Sequence, residues 1–95
     1  MPHDHDPELL VSRNLVLSCE GERDQTRVFV GIGYPKREGD NAKCQVIFEG
    51  LADRTSDIFG VDEFQALSLA LKFAEKLLDD LPAGYNLHWL DGEPY

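Results

Sequence analysis

The segment GVDEFQALSLALKFAEKLLDDL, residues 60–81, decides the fold because it predicts one complete amphipathic helix. The helix is predicted over residues 62–81. Asp62 can accept hydrogen bonds from the free backbone N–H groups of the first turn, and Gln65, three residues later, completes a capping box. Pro82 ends the helix, since proline cannot continue the backbone hydrogen-bond ladder.

Apolar residues follow one another at steps of three and four along this helix, which predicts a continuous buried face. Leu69 and Phe73 lie at the margin of the polar side, where they are less easily buried. A stripe of this length requires a sheet or another element to pack against. Its members are Phe64, Leu67, Leu71, Ala74, Leu78 and Leu81, with Ala66, Ala70 and Leu77 widening it.

Before the helix, apolar and other residues alternate with period two, which predicts β-strands. The segments between these strands are polar and rich in glycine and aspartate, as in hairpin loops. Pro35 is expected to close the second strand, because it lacks the N–H of a ladder position. Strands are predicted over residues 15–20, 28–34 and 44–49, a short fourth strand or an irregular crossover over 54–60, and a last strand or packed tail over 85–90.

These elements predict an α+β fold with two layers. The sheet is an antiparallel meander of three to four strands, with one long helix over about residues 62–81 packed on one face and a C-terminal strand or tail. At 95 residues the chain is expected to form a single domain over residues 1–95. Residues 1–7 are expected to be disordered.

One helix covers only one face of such a sheet, and the second face is also partly apolar. Phe29 and Ile47 point to it, and Gly31 and Gly33 lie between them in sequence. A partly apolar, uncovered face indicates dimerisation or a partner. The alternative is that residues 9–11 and the C-terminal Trp89 fold back over it.

Net charge limits the classes of partner. The chain has 18 acidic and 9 basic residues, for a formal charge of −9. Such a field repels phosphate, which disfavours nucleic acid and anionic membrane surfaces as partners. It favours encounter with a basic protein. The alternative is that the acidity serves solubility alone.

Two further features concern the compartment. No apolar run reaches the roughly 18 residues of a membrane span, and the acidic N-terminus is unlike a secretory signal, so a cytoplasmic location is expected. Cys19 and Cys44 lack the spacing of a zinc site and lie in strands separated by another strand, which predicts buried free thiols.

Four local patterns contain residue types that occur in functional sites, but none predicts a catalytic residue, metal or cofactor. His3 and His5 could bind a divalent metal but have no second ligand cluster. His88, beside Trp89, could act as a general base, but no nucleophile is spaced to meet it. Gly31-x-Gly33 precedes a polar hairpin and not a helix N-terminus, so it lacks the geometry of a phosphate loop. The acidic residues at the helix entry fit no EF-hand spacing. These are Asp53, Asp57, Asp62 and Glu63.

The chain resembles a bacterial family of small uncharacterised domains. The resemblance covers roughly residues 13–81 and implies the fold and a bacterial source, but it brings no catalytic residues. The tail YNLHWLDGEPY falls outside it. The pieces that carry it are Arg13 and Leu15, Val30-Gly31-Ile32-Gly33-Tyr34-Pro35, Cys44 to Gly50, and Gly60-Val61-Asp62 with Gln65-Ala66-Leu67 and Leu69-Ala70-Leu71.

The sequence therefore predicts a non-catalytic protein-binding module and, in its most specific form, an immunity or inhibitor protein that neutralises a basic toxin or enzyme. Aromatic residues would anchor the partner and carboxylates would steer it. The alternatives are a small enzyme or ligand-binding domain that uses His88 and nearby carboxylates, and a homodimeric structural module. The predicted partner-binding residues are Glu63, Glu75, Asp79, Asp80, Tyr85, Trp89 and Tyr95.

Overall fold

The computed structural model of the protein describes residues 8–50 and 53–95. Within them, no helix combines the length and the apolar character needed to cross a membrane. The histidines considered as metal ligands, His3 and His5, and the expected disorder of residues 1–7 lie outside the described residues. The elements are β1 (Leu9–Cys19), β2 (Gln25–Gly33), β3 (Lys36–Glu38), β4 (Asn41–Glu49), β5 (Arg54–Gly60), α1 (Glu63–Asp79) and β6 (Tyr85–Trp89).

The strands form one antiparallel sheet, and α1 packs on one face of it, so the predicted α+β fold is confirmed. β1 pairs with β2, β2 with β4, and β4 with β5. The chain then crosses the sheet through α1, and β6 pairs with the far side of β1. The edge strands are therefore β5 at one end and β6 at the other.

The segment after β2 differs from the expected polar loop. β2 ends at Gly33, just before Pro35, and β3 follows and pairs with the beginning of β4. The turn between β3 and β4 holds Gly39 with a φ of 64°, a conformation that glycine adopts without strain. The proline therefore interrupts one long strand instead of ending the pairing.

The helix starts with the predicted capping residues. The backbone N–H of Gln65 donates to Oδ1 of Asp62 at 2.8 Å. The side chain of Gln65 reaches back, but it accepts from the N–H of Val61 at 2.8 Å and not from that of Asp62. The first bond satisfies a donor that the first turn leaves free, and the second holds the residue before the cap, so the helix entry is fixed on both sides. The helix ends at Asp79, two residues before the predicted end.

The buried face of α1 is narrower than the predicted stripe. It consists of Ala66, Ala70, Ala74 and Leu78. Phe64, predicted to be buried, is 85% exposed, and Leu71 is 40% exposed. Small alanine side chains let α1 lie close to β4 and β5, and the helix therefore covers these two strands more than β1. The larger side chains of the stripe are displaced to its margin.

Gly60 shows how close this approach is. A Cβ atom at Gly60 would lie 2.5 Å from the backbone nitrogen of Ala66. Only a residue without a side chain fits where the end of β5 passes beneath the first turn of α1.

The core lies between α1 and the sheet and is apolar throughout. Both cysteines are free thiols, as predicted, but burial is confirmed for Cys44 alone, since Cys19 is half-buried. The Sγ of Cys44 donates to the carbonyl oxygen of Gly33 at 3.3 Å. Burial raises the pKa of this thiol above its ordinary value of 9.0. The buried hydrophobic residues of the sheet are Leu15, Leu17, Val28, Val30, Ile32, Ala42, Cys44, Val46 and Phe48.

The face of the sheet away from α1 is partly covered by β1 itself. The methyl groups of Leu9 lie where a side chain at Gly31 would be, and the ring of Phe29 lies beside them. Trp89 does not cover this face. It pairs with Leu15, a core residue, and directly paired residues of antiparallel strands point to the same side of a sheet.

The residues after β6 fold back along its outer edge. The N–H of Trp89 donates to the carbonyl oxygen of Glu93 at 2.8 Å, and the N–H of Tyr95 donates to that of Leu87 at 3.1 Å. A bridge between His88 and Pro94 lies between these bonds. The tail therefore occupies the edge of β6.

Candidate functional site

The incomplete cover of the sheet by α1 leaves a groove between the helix and β1. Its volume is about 250 Å³. The apolar floor comes from β1 and β2, and the wall comes from the second half of α1. The lining residues are Val11, Ser12, Arg13, Val30, Ile32, Leu71, Ala74, Glu75 and Leu78.

The wall of this α1–β1 groove continues toward the start of the helix. Phe64, Leu71 and Leu78 are spaced seven residues apart, which places them on one side of an α-helix. Their exposure falls from 85% at Phe64 to 40% at Leu71 and 4% at Leu78. The groove therefore opens from a buried end into an exposed apolar stripe along α1.

At the β1 side of the groove, Arg13 is held by two aromatic rings. Its guanidinium carbon lies 5.2 Å from the centre of the Trp89 ring and 5.6 Å from that of Tyr95. A guanidinium N–H also donates to the Tyr95 hydroxyl at 2.8 Å. The two rings are 5.2 Å apart and tilted by 54°. These contacts link the tail to β1 and fix the aromatic surface beside the groove.

This cluster lies on the same side of the sheet as α1. Arg13 pairs with the buried Val30, and Trp89 pairs with the buried Leu15. A second shallow depression, lined by Trp89, Leu90 and Asp91, adjoins the α1–β1 groove at Arg13. Arg13 therefore separates an apolar groove from an aromatic and acidic rim.

Glu75 provides the negative charge of the groove itself. It lies on the helix wall and forms no ion pair with any other described residue. Its neighbour on the helix surface, Lys76, is paired with Asp80 at 3.1 Å. A carboxylate at the rim of an apolar groove suits a segment that carries both an apolar and a basic side chain.

The structure brings three of the seven predicted partner-binding residues to this region: Glu75, Trp89 and Tyr95. The remaining four are dispersed. Glu63 forms an exposed ion pair with Arg37 at 3.7 Å, and Asp80 pairs with Lys76.

The last two of the four lie at the helix end and in β6. Asp79 is the exposed last residue of α1. Tyr85 is half-buried against the core and lies opposite Cys19, at the end of β6 away from Trp89. The aromatic residues Tyr85 and Trp89 therefore do not form one surface.

His88 lies apart from the groove. It pairs with Val16 and points to the face of the sheet away from α1, because its neighbours Leu87 and Trp89 pair with the core residues Leu17 and Leu15. Its Nδ1 atom is buried and has no hydrogen-bond partner in the described part of the chain. No described carboxylate therefore orients this imidazole through Nδ1.

The other local patterns have structural roles here. Gly31 and Gly33 lie inside β2, where Leu9 packs over the first and Cys44 bonds to the carbonyl of the second. At the helix entry, Asp62 caps α1, and Asp53 accepts from the N–H of Gly50 at 3.0 Å. Among residues 8–50 and 53–95, no cluster of three or more His, Cys, Asp or Glu residues could hold a metal ion.

Sequence reasoning missed Arg13, Val11 and Leu71 as residues of the site. Arg13 carried a recognisable signal. It stands at the core-facing position of an alternating strand, between Val11 and Leu15, where an apolar residue is expected. A charged residue in such a position indicates that the core ends there or that a specific contact holds the charge.

Comparisons with known proteins identify a family for this chain. Neither the curated proteins nor the solved structures contain a match. A family model matches residues 11–95, which confirms the expectation of an uncharacterised domain family. The match includes the tail, so the expectation that residues 85–95 fall outside the family was wrong. The chain belongs to the family described as Domain of unknown function (DUF6968).

Proposed function

We propose that this protein is a non-catalytic module that binds a basic protein partner through the α1–β1 groove. The observation that supports this proposal is the groove, which has an apolar floor and the carboxylate of Glu75 on its wall, together with the aromatic pair Trp89 and Tyr95 that lies beside it across Arg13. Protein-binding surfaces combine aromatic anchors with polar groups at the rim in this way.

The charge of the chain supports a basic partner. A net charge of −9 on a protein of 95 residues attracts a basic surface over distances longer than a contact and speeds encounter. The partner would place an apolar side chain against Val30 and Ile32 and a lysine or arginine near Glu75. In its most specific form, the proposal is a bacterial, cytoplasmic immunity or inhibitor protein that neutralises a basic toxin or enzyme.

The experiment is a pull-down from native lysate at low salt, with mass spectrometry of the eluate and washes in rising salt. Retention of one basic protein, released by salt, is expected. Capture alone is not sufficient, so the purified partner is then titrated against groove variants. Leu71→Gln and Glu75→Gln are expected to weaken binding at least tenfold each, a loss of about 1.4 kcal/mol per site.

Asp79→Asn is the matched control, because Asp79 is an exposed carboxylate of the same helix and does not line the groove. It removes the same charge as Glu75→Gln and is expected to change affinity by less than about twofold. Recovery of the bait alone, or equal losses for Glu75→Gln and Asp79→Asn, would contradict a binding site in the groove.

A further inference from the structure

The two edges of the sheet differ in a way that the proposed groove does not explain. The tail occupies the edge of β6 through hydrogen bonds from Trp89 and Tyr95. The edge of β5 is open: among residues 8–50 and 53–95, no backbone group pairs with its outer side. An unpaired edge of seven residues is a template for another strand, and folded proteins ordinarily protect such edges.

Apolar side chains are exposed both above and below this open edge. On the side of α1, Leu69 is 38% exposed, and Phe73, one turn further, lies on the same flank of the helix. Phe73 lies above β5, because the guanidinium of Arg54 is 5.6 Å from its ring centre. On the other side, Phe59 is 54% exposed. Exposed apolar side chains on both sides of an open edge indicate an interface.

From these features we propose that the β5 edge is a homodimer interface, in which β5 of one copy pairs antiparallel with β5 of a second copy. Two copies related by a twofold axis present the same surface to each other. The pairing would join the two sheets into one and bring Leu69 and Phe73 of each copy toward the axis. The two α1–β1 grooves lie on the far flanks of the helices and stay open.

Side-chain direction and charge select one register. In a continuous antiparallel sheet, directly opposed residues point to the same face. The twofold axis must therefore place one residue of β5 directly opposite the same residue of the other copy. It cannot lie midway between two consecutive residues of the strand. An axis at Asp57 would oppose two carboxylates. An axis at Ile58 would place Phe59 opposite Asp57 of the other copy, an apolar ring against a carboxylate. The remaining central position is Ser56.

With the axis at Ser56, each Thr55 lies opposite Asp57 of the other copy. The threonine hydroxyl can donate to the carboxylate, and the contact occurs twice. Both side chains are exposed in the single chain. Substituting them therefore changes the interface without disturbing the core.

Sedimentation equilibrium of the full chain from low to high micromolar concentration is expected to show a reversible monomer–dimer equilibrium. Thr55→Asp opposes two pairs of carboxylates and is expected to raise the dimer Kd about tenfold, whereas Thr55→Lys places an amine opposite Asp57 and is expected to lower it. Gln25→Glu and Gln25→Lys are the controls, since Gln25 is exposed at the start of β2 and matches each change in net charge.

Cross-linking tests the register independently. In a Cys19→Ser background, Ser56→Cys is expected to form an intermolecular disulfide on oxidation, because opposed residues lie within about 6 Å between Cα atoms. Thr55→Cys is not expected to form one, because residue 55 lies opposite residue 57 of the other copy. The Cα atoms of the two residues 55 are then farther apart than the limit of about 7 Å for a disulfide. A monomer at every concentration, equal effects at positions 55 and 25, or preferential cross-linking through Thr55→Cys would overturn the proposal. None of these outcomes bears on the groove, whose test is the partner titration.

Discussion

At the scale of single residues, Gly60 sets the distance between the helix and the sheet. The absent side chain lets the backbone of Ala66 lie where a Cβ atom would be. Gly33, in contrast, lies in the same sheet with room for a methyl group, because a Cβ there would be 3.6 Å from its nearest neighbour, the Cβ of Gln45. Substituting each glycine by alanine therefore compares a crowded position in the sheet with one that has room for a methyl group.

Gly60→Ala is expected to destabilise the protein by about 2–4 kcal/mol, because the first turn of α1 must move away from the sheet. Gly33→Ala is expected to change the free energy of unfolding by less than about 1 kcal/mol. Urea denaturation measures both values. Similar losses for the two variants would show that helix contact does not set the requirement for glycine at position 60.

Cys44 provides a second test at this scale. Burial raises the pKa of its thiol, so the thiolate that reacts with alkylating agents is scarce in the folded state. At pH 8, iodoacetamide is expected to modify Cys19, which is half-buried, and to modify Cys44 only after denaturant is added. Mass spectrometry of the digested chain locates the label.

The raised pKa of Cys44 also makes the stability of the fold depend on pH. The folded state favours the neutral thiol, so this contribution is complete below the unfolded value of 9.0 and is lost as pH rises toward the folded pKa. Stability is therefore expected to fall as pH rises above 9. Rapid labelling of Cys44 in the folded protein at pH 8 would contradict a buried thiol.

At the scale of elements, the N-terminus of α1 depends on Asp62 and Gln65. Asp62→Ala is expected to cost about 1 kcal/mol, because the N–H of Gln65 loses its acceptor. Asp62→Asn, which keeps a side-chain oxygen in place, is expected to cost much less. Thermal unfolding followed by circular dichroism compares the two. An equally large loss for Asp62→Asn would indicate that charge near the helix N-terminus, and not the hydrogen bond, is the stabilising factor.

The position of α1 on the sheet gives opposite expectations for two residues of one stripe. Phe64→Gln is expected to change stability by less than about 0.5 kcal/mol, because the ring is 85% exposed. Leu78→Ala is expected to cost about 2–5 kcal/mol, because this side chain is buried. Urea denaturation compares the variants. A large loss for Phe64→Gln would contradict the exposed placement.

These two residues also show how far the sequence predicts the elements. Period and capping signals identified α1, since Asp62, Gln65 and Pro82 act within a few residues of the backbone they affect. They did not identify which part of the apolar stripe is buried. That depends on how far the helix shifts sideways on the sheet, which is set by the contact of Gly60 with Ala66, residues from two different elements. The groove results from this shift, so the pattern along α1 could not reveal it.

At the scale of the whole molecule, the excess of acidic residues is expected to oppose folding. A charge of −9 on a compact chain repels itself, and salt screens this repulsion. The three ion pairs found among the described residues are exposed and contribute little that salt could remove.

Raising NaCl from about 10 mM to about 200 mM at pH 7 is therefore expected to raise the free energy of unfolding by about 0.5–1 kcal/mol, and the Tm by about 3–6 °C. The same titration at pH 4.5, near the calculated isoelectric point of about 4.5, is the control and should show a much smaller change. Differential scanning calorimetry measures both. A Tm that falls with salt at pH 7 would mean that local attraction exceeds the general repulsion.

The hairpin that the tail forms along β6 has a consequence for assembly. A sheet that is open at both ends can add copies without limit, which is how strand pairing leads to fibres. Here one end is already occupied by residues 93–95, and among residues 8–50 and 53–95 nothing pairs with the outer side of β5 at the other end. Any growth by strand addition would stop after a single step, since joining two copies consumes the free end of each. Loss of those last residues would expose a second growing end and convert a finite particle into an extensible one.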